Sequence, residues 1–188
     1  MSASVRGVAR EAVSWVVAIA VALLAAFLIR TFVMMPFVVP SGSMEPTIQV
    51  GDSIFAQKVT LELGGHVQAG DIVVFHDPEG TSGDDYLVKR VVATGGQTVD
   101  LRDGAVYVDG VAIDEPYASG SSYPLATQAA GVEVSFPYTV PEGSVWVMGD
   151  NRGNSADSRY FGAVGESSMV GIAFFRYWPL GRMGTLGS

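Results

Sequence analysis

The stretch that decides the fold is TVDLRDGAVYVDGVAI, residues 98–113, in which alternating apolar and polar residues are interrupted by two Asp-Gly pairs. Alternation with a period of two is typical of a β-strand that buries one face. Asp-Gly accepts the positive φ angles of a type I′ turn, so Asp103-Gly104 and Asp109-Gly110 predict two tight hairpins. The stretch therefore predicts a three-stranded antiparallel meander.

The sequence on both sides of this meander also favours strands. We predict them at DIVVF (Asp71–Phe75), YLVKRVVA (Tyr86–Ala93), SVWVM (Ser144–Met148) and MVGIAFFRYW (Met169–Trp178). FVVP, residues 37–40, predicts a short extended segment, because Pro40 disfavours helical geometry at the residue before it. Residues 115–137 are rich in Ser, Gly, Pro and Ala and predict a mobile surface loop or small excursion. No long amphipathic helix is predicted in this part of the chain, so the domain is expected to be mostly β.

The N-terminal region differs in kind. Residues 12–29 read AVSWVVAIAVALLAAFLI, with one serine and no charge. As a helix they would span about 27 Å, close to the roughly 30 Å hydrocarbon thickness of a bilayer. A cleavable signal peptide is the alternative, but its apolar region usually has about 7–15 residues, and no convincing small-x-small site follows this one. We predict a retained single transmembrane helix that ends before Pro36.

This anchor divides the chain into a cytoplasmic N-terminus at residues 1–11, a transmembrane segment at 12–35 and a folded domain at 36–188, within which 98–140 form the meander and excursion. Arg6 and Arg10 precede the apolar run, whereas no Lys or Arg follows Arg30 until Lys58. Positive charge favours the cytoplasmic side. The sequence thus predicts a cell-membrane protein whose folded domain lies on the extracytoplasmic side.

The charge balance bears on the partners. Residues 31–188 contain eight Lys or Arg against eighteen Asp or Glu. Nucleic acids need a basic surface, so this balance argues against nucleic-acid binding. It also argues against broad electrostatic docking on anionic lipid. Contact with the lipid bilayer is expected to be hydrophobic, through the anchor.

Metal and thiolate chemistry have little support. The chain has no cysteine, and neither of its two histidines, His66 and His76, has a partner at ligand spacing. We expect no metal and no cofactor. A Ser-His-Asp triad with His76 and Asp157 is a weak alternative, because His76 lies in a polar turn at a strand end.

A serine activated by a lysine is the more attractive chemistry. Serine is a poor nucleophile until a base takes its proton, and a lysine can be that base when burial keeps it neutral. Lys89 lies in the apolar run LVKRVV, on the strand face of Leu87 and Val91. Two plainer interpretations stay open from the pattern alone: Lys89 as an edge-strand lysine that prevents aggregation, and Ser41-Gly42-Ser43 as a linker.

A dense polar stretch, MGDNRGNSADSRYFG at residues 148–162, follows a predicted strand. It could be a solvated loop with local side-chain turns. It could also support a site, with Asp157 and Arg159 forming a pair and Ser155 orienting another polar group.

Taken in order, these blocks resemble bacterial type I signal peptidase, the membrane-anchored serine protease that removes signal peptides from exported preproteins. The resemblance covers nearly the whole chain. It rests on the anchor, PSGSMEPT (40–47) with Gly51-Asp52, GDIVVF (70–75), KRVVA (89–93) before Gly95-Gly96, DGAVYVDG (103–110) and GDNRGNSADSR (149–159). One departure is Gly153, where many members have Asp.

The resemblance implies specific roles. Ser43 would be the nucleophile and Lys89 the general base, with the Ser41 hydroxyl and the Ser43 N–H forming the oxyanion hole. Ser155 would hydrogen-bond and position the lysine, and Asp157 with Arg159 would be the supporting polar pair. The implied partners are preproteins with small residues before the cleavage site.

Two expectations accompany these roles. A shallow apolar wall that selects small side chains is expected to include four residues, Pro40, Met44, Leu87 and Val88. The alternative to an active peptidase is a catalytically silent anchored β domain that binds preproteins or other partners. The presence of both Ser43 and Lys89 favours the peptidase.

Overall fold

A computed structural model describes residues 2–28, 33–80 and 85–187, and within the first range the side chains of residues 11, 13–25 and 27. Among these residues the helices are α1 (Ser2–Leu28), α2 (Val59–Glu62) and α3 (Ser158–Phe161). The strands are β1 (Met34–Val38), β2 (Ser53–Gln57), β3 (Ile72–His76), β4 (Tyr86–Thr94), β5 (Thr98–Arg102), β6 (Ala105–Val108), β7 (Val111–Ala112), β8 (Tyr138–Thr139), β9 (Ser144–Met148), β10 (Val164–Gly165), β11 (Met169–Trp178) and β12 (Gly184–Thr185).

The predicted meander is confirmed. Strands β5, β6 and β7 pair antiparallel in sequence order, and β8 adds to the free edge of β5 to complete a four-stranded sheet. Both hairpin turns adopt the positive φ angles that Asp-Gly tolerates, with φ of 51° at Asp103 and 52° at Asp109. The local sequence thus determined these turns.

The larger sheet carries the rest of the fold. Its strands run in the order β1-β2-β11-β3-β4-β9-β10, all pairs are antiparallel, and β12 pairs with β11. The four strands predicted outside the meander correspond to β3, β4, β9 and β11. Strand β2, a five-residue segment that lies between β1 and β11 in the sheet, was not predicted from the sequence. The two-residue strands β8, β10 and β12 were not predicted either.

The core lies on the faces of this sheet. Val73, Phe75, Val91 and Val147 pack together on one side. Trp146 lies in a second cluster that joins the larger sheet to the meander, with Val99 and Val106 from the smaller sheet. The burial of strands β3 and β9 on both faces explains why their sequences are nearly continuous apolar runs.

Residues 115–137 are not simply a surface loop. Ser122, Ala129 and Val134 are buried within this segment. Apart from one parallel bridge between Ser119 and Asn151, the segment has no regular strand pairing in the described structure. Its composition favoured a solvated loop, but its contacts with distant residues bury parts of it.

The N-terminal segment forms the long helix α1, whose described apolar side chains, Trp15 and Leu23 among them, are exposed. The part of the chain that the structure describes contains no helix long and apolar enough to cross a membrane. The predicted anchor also runs through residues 29–32, which lie outside the described residues. The last two residues of the predicted segment 12–35, Met34 and Met35, belong to β1 and pair with Gln57 and Ala56 in the sheet.

Candidate active site

Ser43 lies in a tight turn immediately after β1. Gly42–Met44 form one turn of 3-10 helix, and the preceding Ser41 is extended, with φ of −128° and ψ of 156°. Met44 and Ile48 are fully buried in the core beneath this turn. The buried side chains fix the turn to the sheet, and Ser43, itself only 8% exposed, lines a small pocket.

Lys89 lies in the middle of β4 and is 2% exposed. Its Nζ donates hydrogen bonds to Ser43 Oγ at 2.8 Å and to the carbonyl of Val88 at 3.1 Å. Because β4 pairs with β3 on one side and β9 on the other, the interpretation of Lys89 as an edge-strand lysine is wrong. The fold brings together two residues that are 46 positions apart in the sequence.

Burial lowers the pKa of the Lys89 ammonium from 10.5 to about 8, and the charges of Asp157 and Asp77 offset part of this effect. An apolar environment disfavours the charged form of an amine. With a pKa of about 8, about a tenth of Lys89 is neutral at pH 7, far more than for a lysine with the ordinary value. A neutral amine at 2.8 Å from a serine hydroxyl has the geometry of a general base.

Residues 149–157, which form the polar loop between β9 and α3, are hydrogen-bonded to the Ser43 turn. The Asn151 backbone N–H donates to Ser43 O at 3.0 Å, and its side-chain Nδ2 donates to Gly42 O at 3.1 Å. Asp150 accepts from the Thr47 hydroxyl at 2.6 Å and from both Nε and Nη2 of Arg90, at 2.9 and 2.8 Å. No role was predicted for Asp150, Asn151 or Arg90, since these hydrogen bonds join residues that are 60 to 109 positions apart in the sequence.

Asp157 and Arg159, a pair that the sequence left open beside a solvated loop, form an ion pair, and it is buried. Arg159 Nε and Nη2 donate to the two oxygens of Asp157 at 2.9 and 2.8 Å, and both side chains are at most 1% exposed. Asp157 also caps α3 and accepts from the backbone N–H of Gly149 at 3.0 Å. The pair therefore fixes the loop that contacts the Ser43 turn.

Ser155 differs from the expectation. Its Oγ is buried and has no hydrogen-bond partner among the described residues. The hydrogen bond from Ser155 to Lys89 that the resemblance implies is therefore not formed. The side chain of Ser155 instead packs over Gly149, while Lys89 Nζ is directed to Ser43 and Val88.

A small pocket adjoins Ser43 and Lys89. Seven further residues line it, namely Val39, Pro40, Ser41, Met44, Tyr86, Leu87 and Val88. All four residues predicted for the apolar wall are present, and Ser41 lies at the same pocket. Val39 and Tyr86 were missed, although each directly precedes a residue that was predicted.

His76 is not the hydrogen-bond partner of Ser43, as a Ser-His-Asp triad would require. It is exposed, and its ring lies 4.9 Å from that of Tyr86, centroid to centroid. The hydroxyl of Ser43 contacts Lys89. The alternative of a Ser-His-Asp triad built on His76 is therefore wrong.

Comparisons with known proteins show the family of the chain. Residues 12–178 match the sequence model of the family described as signal peptidase, peptidase S26. The chain is 41% identical over 174 residues to the probable signal peptidase I-1 of Synechocystis sp., with 89% of this chain and 83% of the relative covered. It is 34% identical over 179 residues to signal peptidase IB of Staphylococcus aureus, with 90% and 91% covered.

Among solved structures, a signal peptidase I from Enterococcus faecalis V583 is similar to this chain at 33% identity. The match covers 57% of this chain and 96% of that one, with a TM-score of 0.44.

Proposed function

The chain belongs to the signal peptidase family, peptidase S26, and we propose that it cleaves the signal peptides of exported preproteins with Ser43 as nucleophile and Lys89 as general base. It is a serine peptidase of the signal peptidase I type. The observation that carries the residue assignment is the 2.8 Å contact between Lys89 Nζ and Ser43 Oγ, made by a lysine whose burial lowers its pKa to about 8.

Acylation follows from this contact. Neutral Lys89 takes the proton of Ser43 as the serine oxygen attacks the carbonyl carbon of the scissile peptide bond. The C–N bond then breaks, and the protonated lysine gives its proton to the leaving amine. The product of this half-reaction is an ester between Ser43 and the signal peptide, with the mature protein released.

Deacylation uses the same base. Lys89 is neutral again after it has protonated the leaving amine, so it can take a proton from an incoming water molecule. The resulting hydroxide attacks the ester carbonyl, and the proton held by Lys89 returns to Ser43 Oγ. No cofactor is required for either half-reaction.

The oxyanion of each step would accept hydrogen bonds from the Ser43 N–H and the Ser41 hydroxyl. Ser41 is exposed beside Ser43 at the mouth of the pocket, which supports this assignment. Donors of this kind are worth roughly 3 kcal/mol each in other serine proteases. Ser41→Ala is thus expected to lower kcat and to affect KM much less.

The pocket supports a preference for small substrate side chains. Met44 is fully buried at its base, and Pro40, Leu87 and Val88 contribute apolar surface beside Ser43 and Lys89. A narrow apolar pocket accepts a methyl group and excludes larger or charged groups. We infer that alanine-like residues precede the cleavage site.

Helix α1 is the proposed membrane anchor. The uncharged run at residues 12–29 and the exposed apolar side chains of the helix, such as Trp15, Val17 and Leu24, support an apolar surrounding. Arg6 and Arg10 support a cytoplasmic N-terminus. Ser43 lies only a few residues after β1, and β1 closely follows α1 in the chain. With the N-terminus in the cytoplasm, the site would therefore lie near the extracytoplasmic surface of the membrane.

The experiment is the processing of a preprotein by the full-length chain in detergent. The wild type should release a mature protein whose new N-terminus, read by mass spectrometry, follows a small residue. Ser43→Ala should leave the preprotein intact, and an exposed serine such as Ser167 changed to alanine should process normally. Equal processing by wild type and Ser43→Ala would overturn the assignment.

A further inference from the structure

We propose that residues 115–123, which we call the strap, are a positioning element for the nucleophile, with Glu115 and Tyr117 as its positioning residues. The strap leaves the meander after β7 and crosses to the polar loop behind Ser43. It acts through that loop and not on the reacting atoms. This inference rests on the proposed roles of Ser43 and Lys89 and adds the element that sets their distance.

The first contact is made by the backbone. Ser119 N–H donates to Asp150 O at 2.7 Å, and Arg152 N–H donates to Ser119 O at 2.9 Å, which forms a parallel bridge between Ser119 and Asn151. One residue of the strap thus pairs with the two residues on either side of Asn151. The strap supplies to this loop the backbone partners that a neighbouring strand would otherwise supply.

The second contact is a buried ion pair. Arg152 Nη1 donates to Glu115 Oε2 at 2.7 Å, its Nη2 donates to the other Glu115 oxygen, and Nη1 also donates to the Ser122 hydroxyl. Arg152 and Ser122 are buried. Two planar groups held in this bidentate geometry fix both distance and orientation, which a single exposed charge pair does not.

The third contact reaches the neighbour of the general base. The ring of Tyr117 lies beneath the guanidinium of Arg90, with Cζ 3.9 Å from the ring centroid. The Tyr117 hydroxyl donates to Glu115 at 3.1 Å. Arg90 follows Lys89 in β4 and binds Asp150 with two hydrogen bonds. Tyr117 therefore packs against the cation that joins β4 to the loop.

From the loop the connection continues to the nucleophile. Asn151 donates to the carbonyls of Gly42 and Ser43, and Asp150 accepts from Thr47 at the end of the same turn. A displacement of Asp150 and Asn151 must displace the Ser43 turn, because these hydrogen bonds join the two segments directly. Lys89 would keep its place in the sheet, so the Ser43 Oγ to Lys89 Nζ distance would change.

The strap is itself held in place at its far end. Ser122 N–H donates to Gly104 O at 2.8 Å, in the turn between β5 and β6. The strap is thus attached to the smaller sheet at one end and to the polar loop at the other. This gives a physical role to the meander, which carries none of the proposed catalytic residues.

The test compares three variants of the full-length chain with the wild type in preprotein cleavage. Tyr117→Leu removes the ring beneath Arg90 and should lower kcat roughly tenfold or more while KM stays within about twofold, since misplacement of a nucleophile by about 1 Å has effects of this size. Tyr117→Phe keeps the ring and should recover most of the lost kcat. Tyr107→Leu is the matched control, because Tyr107 packs on Arg102 in the smaller sheet in the same manner, away from the site.

Glu115→Gln is a fourth variant, for the case that Tyr117→Leu does not fold as judged by circular dichroism. It keeps the shape of Glu115 but removes the charge that binds Arg152, and it too should lower kcat with KM nearly unchanged. Folded Tyr117→Leu or Glu115→Gln protein with wild-type kcat would overturn the inference. A matching loss in Tyr107→Leu, or a rise in KM alone, would also overturn it. Absence of cleavage by the wild type would instead reject the proposed function.

Discussion

At the scale of single residues, the decisive feature is the burial of the Lys89 amine among apolar side chains. Lys89 lies on a buried strand face, where solvation of the ammonium is lost and its pKa falls to about 8. A pKa difference of one is worth 1.36 kcal/mol, so the fall from 10.5 corresponds to about 3 kcal/mol of free energy. The proposed catalytic role of Lys89 and a loss of stability therefore have the same physical cause, the burial of the amine.

This cost can be measured as a pH-dependent stability. Between pH 8 and 10.5 the unfolded chain binds the Lys89 proton and the folded protein does not, so this residue's contribution to the free energy of unfolding rises with pH in that window. Lys89→Met should be more stable than the wild type by about 3 kcal/mol at pH 7, and the difference should shrink toward pH 10.5. Urea unfolding at several pH values measures this, and parallel curves for the two proteins would contradict it.

Gly149 is a residue at which the structure leaves no room. A Cβ atom placed there would lie 2.5 Å from the carbonyl oxygen of Ser43 and would also collide with Ser155. Gly149→Ala should lower kcat at least tenfold by displacing the Ser43 turn, and should destabilise the fold by about 1–3 kcal/mol through overpacking. Gly153→Ala is the control, because nothing lies within 4 Å of a Cβ at that position. Equal kcat values for Gly149→Ala and Gly153→Ala would contradict the prediction that a side chain at position 149 displaces the Ser43 turn.

At the scale of elements, the polar loop between β9 and α3 is organised by buried ion pairs. Asp157 binds Arg159, caps α3 and accepts from Gly149, with no exposed surface. Removing one member of such a pair leaves an uncompensated buried charge. The loop should therefore lose its structure when this single carboxylate is removed.

Asp157→Ala is expected to lower the free energy of unfolding by about 3–5 kcal/mol. The corresponding change Asp100→Ala breaks the ion pair with Arg102, whose side chain is 54% exposed, and should cost less than about 1 kcal/mol. Chemical denaturation of both variants gives the comparison. Similar losses for the two would mean that burial of the Asp157 pair has no special effect.

The elements also show which parts of the fold local sequence could predict. The meander and strands β3, β4, β9 and β11 were predicted because alternation, apolar runs and Asp-Gly turns are local signals. Strand β2 and the strap were not, because both depend on partners far away in the chain: β2 on β11, and Glu115 on Arg152. The same reason separates Lys89, visible as a charge in an apolar run, from Asn151, whose role depends on a carbonyl 109 residues away.

At the scale of the whole molecule, the proposed anchor and the site form one arrangement. Ser43, the proposed nucleophile, follows β1 closely, and β1 begins six residues after α1 ends. A site so close to the anchor would meet an exported chain at the membrane surface. The acidic charge of the folded domain gives little attraction to anionic lipid, so the anchor would provide the attachment.

Membrane retention tests this arrangement. The full-length chain should stay in the membrane pellet after carbonate extraction, and intact mass should show that residues 12–29 are still present. Ala20→Lys places a charge in the middle of the apolar run, at a cost of roughly 3 kcal/mol, and should weaken retention. Ala130→Lys, at an exposed position of the folded domain outside the strap, is the control. Release of the wild-type chain, or loss of residues 12–29 by cleavage, would contradict the anchor.

The central claim is that neutral Lys89 activates Ser43, and the pH dependence of kcat/KM for preprotein cleavage tests it most directly. The base must lose its proton before it acts, so kcat/KM should rise with pH and level off with a midpoint near 8, the pKa to which burial lowers Lys89. Lys89→Met should be inactive across the range. A midpoint near 10.5, or a Lys89→Met variant that cleaves with the wild-type profile, would contradict the account.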